Sequence, residues 1–349
     1  MKCGQRINLL LVFFLIHIHS GILLCEETEP AASKIFRTFY KGVLSGETNI
    51  QIDLKIQSDH LSGFFYNDIS GERFDIHGTV KEKQNFVIDL LDEQKNAYGS
   101  LEGSFGLEKP SIKGMLKIDN NQPGLTLFAV KMADYIDEDR NDLSIKTYTK
   151  YQYPQFLPAA TFMADPLNEL IINHVNQAHQ DFITEPAGKN EYRRDLSYIE
   201  SIIYYSEEFV SLLFTRWVYF EGAAHGNTFY ETKNYWFKDH TLHVLGLSDL
   251  FQKDSHYIEV LSQYCIQDLK HQKAMWVLDG SITEFSKSSL SVFVVNPHAI
   301  EFYFAPYLAG PYSDGPYQVR VPWEVLSEWL DPNGPAPLIR DPQGCACAE

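Results

Sequence analysis

Between residues 34 and 132 the chain is cut into short apolar runs at a spacing of about 8–12 residues, with turn residues between them. That spacing restricts this stretch to an antiparallel β-meander. The clearest run is Asn49 to Gln57, where Ile50, Ile52, Leu54 and Ile56 alternate strictly with Gln51, Asp53 and Lys55. A strand turns successive side chains to opposite faces, so this run predicts one apolar and one polar face. Further strands are expected at Ser62–Tyr66, Arg73–Val80, Phe86–Leu91, Tyr98–Phe105, Ile112–Ile118 and Leu125–Val130. A small sandwich or barrel is the natural closure. Glycines inside the runs (Gly78, Gly99, Gly103, Gly114) imply strongly coiled strands. No catalytic constellation accompanies them, and a carrier and a ligand-binding module both fit.

The acidic stretch Ala133–Asn141 marks a domain boundary, and residues 145–330 read as a second, α+β domain with helices packed on an antiparallel sheet. It opens with an extended stretch, Ser144–Tyr153, broken by Pro154 and Pro158. Asp165 and Pro166 supply a helix N-cap and first-turn proline, and Leu167, Leu170, Ile171, His174, Val175, Ala178 and Phe182 follow at helical spacing. Strands are expected at Tyr198–Tyr205, Phe209–Phe220, Asn227–Phe237 and Thr241–Leu245, with a hairpin turn at Lys238-Asp239-His240. Helices follow near Leu247–Phe251 and His256–Lys273, and strands near Leu290–Val295 and Ile300–Phe304. A helix at Pro322–Leu330 leads into a Pro/Gly-rich tail, residues 331–349.

Residues 1–25 read as an export signal. Lys2 and Arg6 form its basic region and Leu9–Ile16 its apolar run, interrupted by His17, His19 and Ser20. A membrane span needs about 20 apolar residues, so a cleaved signal is favoured over a retained anchor. Cys25 follows the run, where a lipoprotein would carry its diacylglycerol and a membrane tether; Leu24 departs from the small residue usual before such a cysteine, and plain cleavage near Ser20 is the other reading. Either way the expected location is extracytoplasmic: periplasm, cell envelope or secreted. Cys265, Cys345 and Cys347 do not make a disulfide scaffold. The formal net charge of −17 excludes nucleic acid as a partner and favours a cationic protein.

Near the end, Pro-Tyr recurs at Pro306-Tyr307, Pro311-Tyr312 and Pro316-Tyr317. Each proline fixes φ and removes a donor, so this is a stiff loop. Tyrosines on such a loop build protein-binding surfaces or pack beneath it. Tyr317, which runs into the strand Gln318–Val321, is the one expected to be structural.

Two blocks carry a family resemblance. One is Leu212 to Thr228, containing Gly222-Ala-Ala-His-Gly226, with Asn234-Tyr-Trp-Phe237 and Gly246-Leu-Ser-Asp-Leu-Phe251 after it; the other runs from Phe302-Tyr-Phe-Ala-Pro-Tyr307 to Pro322. Over residues 145–330 the chain resembles the extracytoplasmic domain of RsiV-type anti-sigma factors, which also accompanies the peptidoglycan deacetylase PdaC. The resemblance implies a non-catalytic receptor for a cationic c-type lysozyme. Its candidate contacts are Tyr307, Pro311, Tyr312 and the Ala224-His225-Gly226 turn. Two departures matter: about eight residues precede the apolar run, too few for a sigma-binding segment, and the family's Gly-Gly-Ala-His-Gly has Ala223 as its second residue here.

Catalytic readings are weaker. His225 with Asp239, His240 and His243 matches no standard zinc spacing, so no metal or cofactor is expected. A nucleophile elbow, a P-loop and a dinucleotide fingerprint are absent from the sequence. Glu221 and Glu301 are the carboxylates that an acid/base pair would draw on. The alternatives to a binding protein are a cell-wall hydrolase or deacetylase accessory and a structural envelope lipoprotein.

Overall fold

Eight strands close on themselves because the first pairs with the last. They are β1 (Ile35–Leu44), β2 (Thr48–Gln57), β3 (His60–Asn67), β4 (Arg73–Val80), β5 (Asn85–Leu91), β6 (Ala97–Phe105), β7 (Ser111–Lys117) and β8 (Leu125–Asp139). Every sequential pair is antiparallel, and β1 also pairs with β8, so the meander is an up-and-down barrel. The computed structural model describes residues 35–81, 84–106, 111–118, 123–185, 192–238 and 241–340. The signal segment with Cys25, the turn residues Asp239 and His240, and the tail cysteines Cys345 and Cys347 lie outside them.

The barrel interior is filled. Ile50, Ile52, Leu54, Phe65, Phe86 and Leu101 are among the side chains buried there. An eight-stranded barrel is about wide enough for side chains alone, and this one is packed as a core. β1, which carries no clean alternation, is the strand that sequence reading misses. Glycine earns its place at Gly63, where φ is +137° and an added Cβ would sit 1.9 Å from the Asp53 carbonyl oxygen.

β8 is long enough to serve two partners. Its first half closes the barrel, and Ala133–Asp139 pairs with β9 (Thr147–Phe156). The acidic stretch expected as a boundary is therefore a strand that carries the sheet onward. β10 (Arg194–Tyr205), β11 (Phe209–Phe220), β12 (Asn227–Lys238) and β13 (Thr241–Val244) continue it to thirteen strands. The expected antiparallel sheet needs one correction: β9 and β10 are parallel, joined through helix α1 (Ala164–Thr184). A parallel neighbour requires a long crossover, and the helix supplies it. Pro154 does not break β9. β10 pairs with β9 only as far as Gln152, so beyond it one side of the strand is a free edge where proline is tolerated.

Helix α1 begins two residues earlier than expected, with Met163 at the N-cap position, and Asp165 sits in its first turn. It buries Leu167, Ile171, Val175 and Phe182. A second, three-stranded antiparallel sheet holds β14 (Phe293–Asn296), β15 (Ala299–Phe304) and β16 (Tyr317–Pro322). Beside it run α2 (Tyr257–His271) and the single turns α3 (Met275–Leu278) and α4 (Trp323–Leu326). The helix expected over Pro322–Leu330 is only that last turn. Part of the expected tail is ordered into the core as α5 (Ala336–Arg340), through Ala336 and Ile339.

The polar face of β2 is the largest departure from the alternation. Gln51 and Asp53 are as buried as the apolar residues between them, because β10 lies over the outside of β1 and β2. Gln51 Nε2 donates to the Tyr205 carbonyl at 3.1 Å, and its Oε1 accepts from Tyr205 N at 3.0 Å. Arg37 grips Asp53 with two hydrogen bonds, at 2.8 and 2.7 Å, and also donates to Gln152 and Ser201. Tyr135 donates its hydroxyl to Asp53 and accepts from Ile202 N.

Candidate functional site

The loop between β15 and β16 has an inner and an outer side. Pro306, Ala309 and Gly310 are buried, and Asp314 accepts hydrogen bonds from Tyr317 Oη at 3.1 Å and from Met275 N at 3.4 Å. Trp276 N donates to the Ala309 carbonyl, so α3 buttresses the loop. On the outer side, Tyr307 is 47% and Leu308 42% exposed, and Met275 and Leu278 of α3 are exposed as well. Tyr307 holds φ at +71°, a left-handed conformation that a residue with a Cβ rarely takes. Tyr317 is half-buried against the core, as its position before the strand suggests.

The Ala224-His225-Gly226 turn joins β11 to β12, far from this loop in sequence. The fold nevertheless stacks the His225 ring on Tyr312, with centroids 3.8 Å apart and planes 22° off parallel. Tyr312 in turn meets Tyr307 at 5.8 Å. Ala224 and His225 are exposed, Gly226 is buried and Pro311 is half-buried. Gly226 leaves room for Trp217, whose ring an added Cβ would approach to 2.3 Å. Trp217, itself 37% exposed, stacks on Tyr219. The structure therefore brings all six sequence-derived contact residues to one region and adds Trp217, Tyr219 and Leu308. An aromatic alternation at Trp217 and Tyr219 was visible in the sequence, but nothing there marked it as the solvent-facing side.

His225 and His243 are not brought together, and Asp239 and His240 lie outside the described residues. His243 pairs with Trp236 near the far end of β12, while His225 precedes the strand's first residue. At about 3.3 Å per residue the strand's length separates them. Among the described residues no group of three or more His, Cys, Asp or Glu side chains is placed to hold a metal ion.

Glu221 and Glu301 are not brought together either. Glu221, at the exposed end of β11, accepts from Arg193 N at 2.7 Å. Glu301 is buried on β15, where Oε1 accepts from Asn296 Nδ2 and Oε2 from Gln318 Nε2, both at 2.8 Å. It forms the floor of a cleft of about 670 Å³ between the small sheet, the end of α2 and the barrel strands β4 and β5. Sequence reasoning had no way to place the barrel beside Glu301.

Residues 248–324 match the family described as "Protein of unknown function (DUF3298)". Over 141 residues, 40% of this chain, the sequence is 28% identical to peptidoglycan-N-acetylmuramic acid deacetylase PdaC of Bacillus subtilis; the match spans 30% of that protein's length. Two crystal structures of DUF3298 family proteins are also similar. The one from Pseudomonas aeruginosa PAO1 has a TM-score of 0.40 at 14% identity, over 58% of this chain and 94% of that one. The one from Bacteroides fragilis has a TM-score of 0.36 at 14% identity, over 60% and 96%.

Proposed function

We propose that this is an extracytoplasmic, cell-envelope-associated binding protein of the RsiV type, whose outer aromatic surface around Tyr312 recognises a cationic protein, a c-type lysozyme-like muramidase. The single observation that carries this reading is the His225–Tyr312 stack. It fuses two separate segments into one rigid aromatic platform, with Tyr307 held beside it in a strained conformation. Rigid tyrosines lose little conformational freedom on binding, and strain of this kind concentrates at ligand-contacting sites. The similarity to a cell-wall deacetylase supports the envelope setting. The net charge of −17 supports a basic partner. The N-terminal apolar run and Cys25 support export and a lipid tether, which mass spectrometry of the mature N-terminus checks.

The test is calorimetric titration of the chain with hen lysozyme at 50 and 300 mM salt. Binding should weaken as salt rises, because long-range attraction is screened within about 10 Å at 0.1 M. Absence of heat at both salt concentrations sinks the lysozyme reading. Tyr307→Gly sharpens the result. Glycine takes positive φ without strain, so the variant should keep its melting temperature within the shift that about 1 kcal/mol produces. Its affinity should nevertheless fall at least tenfold.

A further inference from the structure

None of the platform residues lines the cleft above Glu301. One wall is the barrel, with Arg73, Asp75, Asp92 and Glu93; the other is the α2 end, with Asp268 and Gln272. Its floor is one face of the small sheet. Glu301 pairs across the strands with Arg320, and Tyr303 with Gln318, so all four side chains share that face. On the same face, Ile203, Leu213, Val294 and Tyr303 form an apolar cluster that joins the floor to β10 and β11.

Two cross-connections lock the walls. Arg320 Nη2 donates to the Gly71 carbonyl at 2.8 Å, and His298 Nε2 lies 2.7 Å from the Asp68 carbonyl. Gly71 has φ +69°, and an added Cβ would come within 2.4 Å of the His298 ring, so the barrel turn seats against the sheet only as glycine. The cleft is preorganised, which lowers the entropic cost of binding. Its volume falls in the range of about 300–1,000 Å³ that small-molecule sites occupy.

Chemistry of the lining narrows the ligand. Five carboxylates and three cationic side chains face the space, among them the Lys95–Asp75 pair. A polyanion meets too many carboxylates, and a simple cation meets Arg73 and Arg320. Hydroxyl groups suit both, since each donates and accepts. Gln318 and Gln272 add amides, and Tyr303 and Leu91 add apolar surface. The Tyr66 hydroxyl, buried in the field of Glu301, Arg320 and Arg73, has no hydrogen-bond partner and leaves polar capacity beside the floor unused.

We infer that this cleft is a binding site for a short, uncharged oligosaccharide. The experiment is titration of the full chain with the trisaccharides of glucose and of N-acetylglucosamine, followed by saturation-transfer NMR and calorimetry. Spermine and inositol hexakisphosphate serve as the cationic and anionic comparisons. Saturable binding of a trisaccharide is expected, weakened at least tenfold in Gln318→Ala and severalfold in Arg73→Ala, and unchanged in Tyr312→Ala. Both weakening substitutions are at exposed residues, and unchanged melting curves show that the fold survives them. The inference is overturned if neither trisaccharide saturates, if spermine or inositol hexakisphosphate binds more tightly, or if Gln318→Ala and Arg73→Ala leave trisaccharide affinity intact. Lysozyme binding by the aromatic platform is read separately and does not depend on any of these outcomes.

Discussion

Asp53→Ala is expected to destabilise the protein by about 3–5 kcal/mol, the cost of stranding a buried charge whose partner has been removed. Asp53 is 1% exposed and Arg37 is partly buried, and the two meet through a bidentate pair that nothing else replaces. Burial disfavours the Arg37 charge, and Asp53, the Tyr135 ring and Asp137 more than offset it, so the guanidinium stays charged at every accessible pH. Without Asp53 that charge keeps hydrogen bonds only to Gln152 and Ser201, both neutral. The loss also frees the Tyr135 hydroxyl, which ties Asp53 to Ile202 N of β10. The measurement is the urea midpoint. Replacing Arg37 and Asp53 together by apolar residues should recover much of the loss, because removing both partners leaves no orphaned charge. A single-variant loss under about 1 kcal/mol would mean that solvent reaches the pair.

Glu200→Met is expected to act in the opposite direction, raising stability at pH 8 by about 1–3 kcal/mol, the usual cost of a buried polar group without partners. Glu200 lies on β10 opposite Phe214 and beneath α1, fully buried, and neither carboxylate oxygen has a hydrogen-bond partner. Burial alone pushes its carboxyl well above the ordinary value of 4.5. The folded state then holds a proton that the unfolded chain has released. Stability contributed by that proton is complete below pH 4.5 and declines as pH rises toward the folded value.

His174, nearby on α1, slopes the other way. Burial and then Lys233 lower it to about 4, so its neutral form favours the fold above pH 6.5 and that contribution is lost as pH falls. The two overlap between pH 4.5 and 6.5, and Glu200 stands clear of His174 only above that. Above pH 6.5 the Glu200→Met variant should therefore lose the declining slope that the wild type shows as pH rises toward the folded value of Glu200. A variant less stable than wild type at pH 8 would contradict the reading and assign Glu200 a bound partner.

These two residues also show where sequence reading stops. Period-2 alternation located β2 through β7 closely, because each of those strands has the barrel core on one side. It placed Gln51 and Asp53 on a polar face and gave no sign that this face is covered, because the strand over it, β10, is far away in sequence. β1 hid for a related reason: Tyr40 and Leu44 face the barrel interior while Phe39 is buried in the larger core on the other side, so no single period survives. The parallel pairing of β9 with β10 was written in the strand-helix-strand order, although the sequence does not say which neighbour a strand chooses.

The aromatic platform was half legible. Pro-Tyr spacing marked a stiff loop, and the Ala-His-Gly block marked a turn, while the stack between His225 and Tyr312 is a product of the fold. The cleft over Glu301 was not legible at all, since it exists only where the barrel turn at Gly71 meets β15 and β16.

One comparison tests the aromatic platform directly: lysozyme affinity of wild type, His225→Ala, Tyr312→Ala and the double variant at 50 mM salt. A shared stacked surface predicts that each single variant loses at least tenfold and that the double variant loses much less than the product of the two, since neighbours in contact are not additive. Wild-type affinity in all three variants, with binding retained, would place the lysozyme contact elsewhere and contradict the central claim.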